Sequence, residues 1–113
     1  MADAYGLDPL RLGISEVFVA KYSAAEGAQR SLGQHVDGSD FSFVVALNDG
    51  FEGGGTRFAG SPEVKKPPVG GAVAFCGQSR HRGLPVTAGT RYILAGFLTY
   101  ETPDGCHGAA PEK

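Results

Sequence analysis

Three residues carry side chains that could hold a metal ion: His35, Asp37 and His81. His35 and Asp37 are two apart on a segment that reads as extended, and residues two apart on an extended chain project to the same side. One imidazole and one carboxylate can therefore converge on a single ion. His81 lies far along the chain, at the start of another β-rich run, and offers a second imidazole. Two imidazoles and a carboxylate on one face form the donor set that holds ferrous iron with open positions. Two of those positions suit a chelating 2-oxo acid and the third suits dioxygen. A His-x-Asp pair also arises by chance, so three unrelated surface polar residues are the competing explanation at this point.

Arg91 strengthens the first reading. It follows His81 by ten residues and heads the last β-rich run, where its parity matches Ile93, Ala95 and Phe97. Those residues look inward, and a charge on an inward face must be paired. A guanidinium presents a planar fork that fits a carboxylate with two parallel hydrogen bonds. The distal carboxylate of 2-oxoglutarate would supply that partner. Tyr22 shares the face of Phe18 and Ile14, so its hydroxyl could add a hydrogen bond. The alternative for Arg91 is a strand-end residue with a solvated head. Gly53-Gly54-Gly55 lacks the Gly-Lys-Ser/Thr ending of a phosphate loop, and reads as a bulge or close approach that makes room beside the metal site.

These residues need a scaffold of short strands. Ile14 to Tyr22 alternates, with Ile14, Glu16, Phe18, Ala20 and Tyr22 on one face and Val17 and Val19 on the other. Further strands are expected over 32–36, 41–47, 56–59, 72–76, 81–86 and 91–100, with Pro85 placing the fifth of these at an edge or bulge. Lys65-Lys66-Pro67-Pro68 reads as an exposed connection. Residues 2–11 read as a short helix or lead-in. Turn signals recur every 8–12 residues, which predicts an all-β domain of about eight short strands with minimal helix, suited to a double-sheet jelly roll. The domain is expected over 1–100, with 101–113 a flexible polar tail.

Composition narrows the classes. The chain has 113 residues, enough for one small domain and too few for two. Its formal net charge of −2 gives no basic groove for nucleic acid and no membrane-surface patch. No run approaches the roughly 20 apolar residues of a membrane span, and the N-terminus lacks a secretory layout. Cytoplasmic placement is the default expectation. Cys76 and Cys106 are expected to be free thiols in a reducing compartment. His107, Lys65 and Lys66 are expected to be solvated, and Arg80 and Arg82 to point away from any metal.

The run His35-Val-Asp37-Gly-Ser-Asp-Phe-Ser-Phe-Val-Val-Ala-Leu-Asn48 resembles the first metal-binding stretch of prolyl and lysyl hydroxylases. Phe51-Glu-Gly-Gly-Gly-Thr-Arg-Phe58 looks like their glycine-rich strand. His81-Arg-Gly-Leu-Pro-Val-Thr-Ala-Gly-Thr-Arg-Tyr-Ile-Leu94 looks like their closing block, especially in its lysyl hydroxylase form. The resemblance runs from about Val17 to Phe97. It implies the double-stranded β-helix of the Fe(II)/2-oxoglutarate-dependent dioxygenases. It also implies iron on His35, Asp37 and His81 as the catalytic centre, and 2-oxoglutarate on Arg91 with Tyr22 as a second contact. By the same resemblance, ascorbate keeps the iron reduced. The implied reaction hydroxylates an unactivated C–H bond, by default on a prolyl or lysyl side chain of a protein or peptide, and releases succinate and CO2. Ala46 stands where some relatives carry a tyrosine that touches the cosubstrate. Relatives also carry helices before the first core strand, whereas only about a dozen residues precede it here, so a minimal or truncated core is expected. A metal-binding jelly roll that serves as an interaction module is the alternative.

Overall fold

β-Branched and aromatic residues punctuated by glycine turns build ten strands in the computed structural model, which describes residues 12–100. They are β1 (Leu12–Ser23), β2 (Leu32–His35), β3 (Phe41–Ala46), β4 (Glu52–Gly53), β5 (Thr56–Phe58), β6 (Val64–Lys65), β7 (Ala72–Cys76), β8 (His81–Gly83), β9 (Val86–Ala88) and β10 (Thr90–Tyr100). No helix occurs among the described residues. One four-stranded antiparallel sheet runs β1-β10-β3-β7, a second runs β2-β8-β5-β6, and β4 pairs with β9.

The count exceeds the expected eight for local reasons. Pro85 does more than roughen one strand: it divides 81–88 into β8 and β9, which pair in different sheets. Glu52–Gly53 and Val64–Lys65 were too short to read as strands. Val64–Lys65 pairs with Thr56–Arg57, so the lysine stretch begins inside a sheet.

Cross-strand register fixes which residues face inward. Tyr22 pairs with Arg91, Ala20 with Ile93, Phe18 with Ala95 and Glu16 with Phe97. The register then slips between Ile14 and Glu16, leaving Ser15 as a bulge. A one-residue slip reverses parity. Ile14 therefore lies on the face opposite Phe18 and Tyr22, 73% exposed, contrary to the simple alternation.

Two apolar clusters hold the domain. Tyr22, Val86, Ile93 and Ala95 lie between the sheets with Val44 and Phe51 packed against them. Phe75 is 1% exposed and meets Phe58 edge-on at 5.0 Å. Burying a side chain of this size contributes roughly 2–3 kcal/mol. Phe41, Cys76 and Leu98 form the second cluster on the outer face of the first sheet. Elsewhere that outer face leaves Val17, Val19 and Tyr92 exposed.

Cys76 is disulfide-bonded, which overturns the free-thiol expectation. The sequence holds one other cysteine, Cys106. The basis for assuming a reducing compartment falls with the free thiols. The expected lead-in over 2–11, the tail over 101–113 and His107 lie outside the described residues.

Candidate metal and cosubstrate site

His35 ends β2 and His81 begins β8, and the two are register partners. Their rings lie 4.3 Å apart between centroids. Asp37 follows in the loop after β2. That loop is pinned to the turn after β7, because the Asp37 and Gly38 N–H groups donate to the Gly77 carbonyl at 2.9 and 3.2 Å. The loop's far end is fixed as well: Asp40 N–H donates to the Leu98 carbonyl, and Asp40 Oδ2 accepts from Tyr100 N–H at 2.8 Å. Strand pairing thus places the imidazoles, and the loop anchors place the carboxylate.

One ligand atom from each of His35, Asp37 and His81 lies within 4.8 Å of the other two. His35 Nε2 is 3.2 Å and His81 Nε2 is 3.4 Å from Asp37 Oδ1. The opposite ring nitrogens face backbone carbonyls, His35 Nδ1 to Gly33 O at 2.8 Å and His81 Nδ1 to Ser79 O at 2.9 Å. With Nδ1 donating to its carbonyl, each imidazole turns Nε2 toward the shared centre, where loss of the Nε2 proton would offer a lone pair to a metal. This is the tautomer a metal requires, so the residues fit ferrous iron.

The charges are mutually adjusted. Burial pushes the Asp37 carboxyl up, but hydrogen bonds from His81 and Ser42 and the neighbouring imidazoles outweigh it and hold the group below its ordinary value. Burial pushes His81 down, yet its hydrogen bonds to Asp37 and to the Ser79 carbonyl leave it above the ordinary histidine value. Ser42 is a site residue that sequence reading missed. It is 1% exposed, on the inward face of β3, and its hydroxyl meets Ser39 Oγ at 2.8 Å as well as serving Asp37. Its place in the expected Phe41 strand was readable, and its parity opposite Phe41 and Phe43 was the available signal.

Arg91 is 6% exposed and faces inward from β10, so the solvated strand-end alternative fails. No carboxylate among the described residues pairs with it. Burial depresses its pKa, and Tyr22 opposes the shift. The guanidinium carbon lies 5.8 Å from the Tyr22 ring centroid. Burial raises the Tyr22 hydroxyl, Arg91 lowers it and the Asp37 charge raises it, so the hydroxyl senses both the guanidinium and the carboxylate. A cavity of about 90 Å³ joins all five expected residues, His35, Asp37, His81, Arg91 and Tyr22, and Thr56 also lines it. The glycine block makes its room beside Arg91. Gly54 has φ +73°, and a Cβ there would stand 3.2 Å from Arg91 Cδ and 3.1 Å from Phe51 Cε1. Lys66 is less detached than expected: its Nζ lies 4.8 Å from the Phe51 ring centroid, and it lines a gap that Arg91 and Ala46 share.

No protein-family model matches the chain. It is similar to the procollagen-lysine,2-oxoglutarate 5-dioxygenase 1 of Rattus norvegicus, 41% identical over 87 residues, which is 72% of this chain and 12% of that protein. The chain thus spans about an eighth of the length of the curated relatives it matches, 12%. Its fold is similar to that of an oxidoreductase of the 2OG-Fe(II) oxygenase family from Burkholderia pseudomallei, with a TM-score of 0.66 and 22% identity, covering 78% of this chain and 45% of the other. A viral collagen prolyl hydroxylase from Paramecium Bursaria Chlorella virus-1 is similar at a TM-score of 0.61 and 21% identity, covering 80% and 58%.

Proposed function

This chain belongs to the Fe(II)/2-oxoglutarate-dependent dioxygenase superfamily as a prolyl/lysyl hydroxylase-like catalytic domain, and we propose that it hydroxylates an unactivated C–H bond of a protein or peptide, most directly a lysyl or prolyl side chain. The observation that carries the reading is the pairing of a preorganised His-Asp-His cluster with a buried arginine that lacks an acidic partner.

Each residue has a role in that proposal. His35, Asp37 and His81 hold ferrous iron through Nε2, a carboxylate oxygen and Nε2. Iron with 2-oxoglutarate supplies the oxidising chemistry, with succinate and CO2 as the co-products. Arg91 pairs with the distal carboxylate of 2-oxoglutarate and sets its orientation in the cavity. Tyr22 packs against that guanidinium and can donate its hydroxyl to the same carboxylate. Ser42 keeps the Asp37 carboxylate ionised and in place. Phe75 and Phe58 shield His81 from water, with the Phe75 ring centroid 4.7 Å from the imidazole. Ascorbate as the reductant that preserves ferrous iron is part of the same proposal.

The strand orders support a double-stranded β-helix as the architecture. Two four-stranded antiparallel sheets face each other with the ligands between them, and the chain alternates between them from β1 to β2 to β3. The experiment is an assay of the chain for succinate formation from 2-oxoglutarate with iron, with and without lysyl and prolyl peptides. Iron-dependent succinate, stimulated by one peptide class together with a gain of one oxygen atom in that peptide, supports the proposal. Tight iron binding with no succinate under any condition points instead to a metal-binding interaction module.

A further inference from the structure

The head of β10 is held by a side chain where a strand would be expected. β3 ends at Ala46, which pairs with Ile93, so the ladder between β3 and β10 stops before reaching Arg91. Leu47 N–H still donates to the Tyr92 carbonyl at 3.1 Å. The Asn48 side chain then takes over. Its Nδ2 donates to the Thr90 carbonyl at 2.8 Å, and its Oδ1 accepts from Tyr92 N–H at 2.7 Å. A primary amide carries the same donor and acceptor as a peptide group, so it can complete a ladder the backbone has left. The two bonds fall on either side of Arg91 along the chain. On the opposite edge of β10, Arg91 is paired with Tyr22 of β1. Its backbone is therefore gripped from both flanks, by Tyr22 on one side and the Asn48 amide on the other. Gly54 adds a third restraint by letting the chain lie against the Arg91 stem.

We propose that Asn48 is a positioning residue for Arg91, fixing the β10 backbone so that the guanidinium is aimed at the distal carboxylate of the 2-oxo acid. This rests on the cosubstrate reading given above. A side-chain group held by hydrogen-bonded backbone on both sides keeps its geometry when the carboxylate arrives, and a loose one must be ordered at the cost of affinity. Asn48 does not touch the metal ligands, so its influence is confined to the carboxylate end of the cavity.

The test is calorimetric binding, without oxygen, of 2-oxoglutarate and of pyruvate to the iron-loaded chain. Pyruvate has the chelating end and lacks the distal carboxylate. Five proteins are compared: wild type, Asn48→Ala, Asn48→Ser, Arg91→Ala and the Asn48→Ala, Arg91→Ala double variant. The expected result is a loss of 2-oxoglutarate affinity of roughly three- to tenfold in Asn48→Ala, with pyruvate and iron affinity unchanged. In the Arg91→Ala background, Asn48→Ala should then add no further loss, because there is no guanidinium left to aim. Asn48→Ser, which retains a hydroxyl for one of the two bonds, should fall between wild type and Asn48→Ala, and serves if the alanine variant is too unstable to assay. Equal losses for pyruvate and 2-oxoglutarate, or additive losses in the double variant, overturn the inference and leave Asn48 as a general stabiliser of the strand end. If wild type and Arg91→Ala bind 2-oxoglutarate equally, the cosubstrate reading itself fails and this inference fails with it. An unmoved Asn48→Ala isotherm beside a weakened Arg91→Ala isotherm overturns the inference alone.

Discussion

His35 and His81 are direct register partners on β2 and β8, and both turn Nε2 toward the same oxygen of Asp37. A candidate metal site built this way depends on strand pairing for two of its three side chains. Only the carboxylate depends on a loop. The outer atoms of the site are therefore preset before any ion arrives, and the residues that restrain Asp37 become the natural points of weakness.

Ser42 is the first such point. Its buried hydroxyl serves the Asp37 carboxylate and meets Ser39 Oγ. Ser42→Ala should reduce iron affinity by roughly 10-fold or more, as loss of a ligand's supporting hydrogen bond generally does. A competition titration against a metal-binding dye checks this, and unchanged affinity would show that Asp37 needs no such support.

Arg91 is the second. A charge-assisted pair in a partly dry pocket is worth roughly 2–5 kcal/mol when one partner is removed. Arg91→Ala should therefore raise the apparent KM for 2-oxoglutarate at least about tenfold at 1.4 kcal/mol per decade, with iron affinity close to wild type. Arg91→Lys should fall between the two, because an ammonium keeps the charge and loses the fork. Indistinguishable 2-oxoglutarate titrations in all three proteins would remove the cosubstrate assignment and leave the iron site standing.

The disulfide at Cys76 supplies a stability test. Loss of a native disulfide in a small domain costs roughly 2–5 kcal/mol. A reductant should lower the wild-type Tm clearly and leave Cys76→Ser unmoved, in thermal melts followed by circular dichroism. Equal melts with and without reductant would mean that the bond contributes nothing to folding in solution.

The convergence of the candidate ligands was legible in the sequence because their placement follows from local rules. His35 and Asp37 share a side through two-residue parity, and Arg91 faces inward through its parity with Ile93 and Ala95. The resemblance supplied the cosubstrate and the reaction, which parity could not. What stayed hidden depended on non-local geometry. The bulge at Ser15 turns Ile14 to the other face, and nothing in the alternation itself marks it. Asn48 opens an Asn-Asp-Gly run that reads locally as a turn, while its partners, Thr90 and Tyr92, lie more than forty positions away. Lys66 read as solvated because its place over Phe51 requires the β5–β6 pairing to bring the two loops together. The Cys76 bond was misread because neither the spacing nor the tail pattern indicates pairing.

The most direct measurement is an anaerobic titration of ferrous iron into the wild-type chain and into His35→Ala, Asp37→Ala and His81→Ala. Circular dichroism of each protein would confirm that the sheets remain folded. The wild type should bind one equivalent, and each variant should lose roughly 100-fold or more in affinity while keeping its β-sheet spectrum. Wild-type-like iron affinity in any one of the three folded variants would contradict a site made of His35, Asp37 and His81.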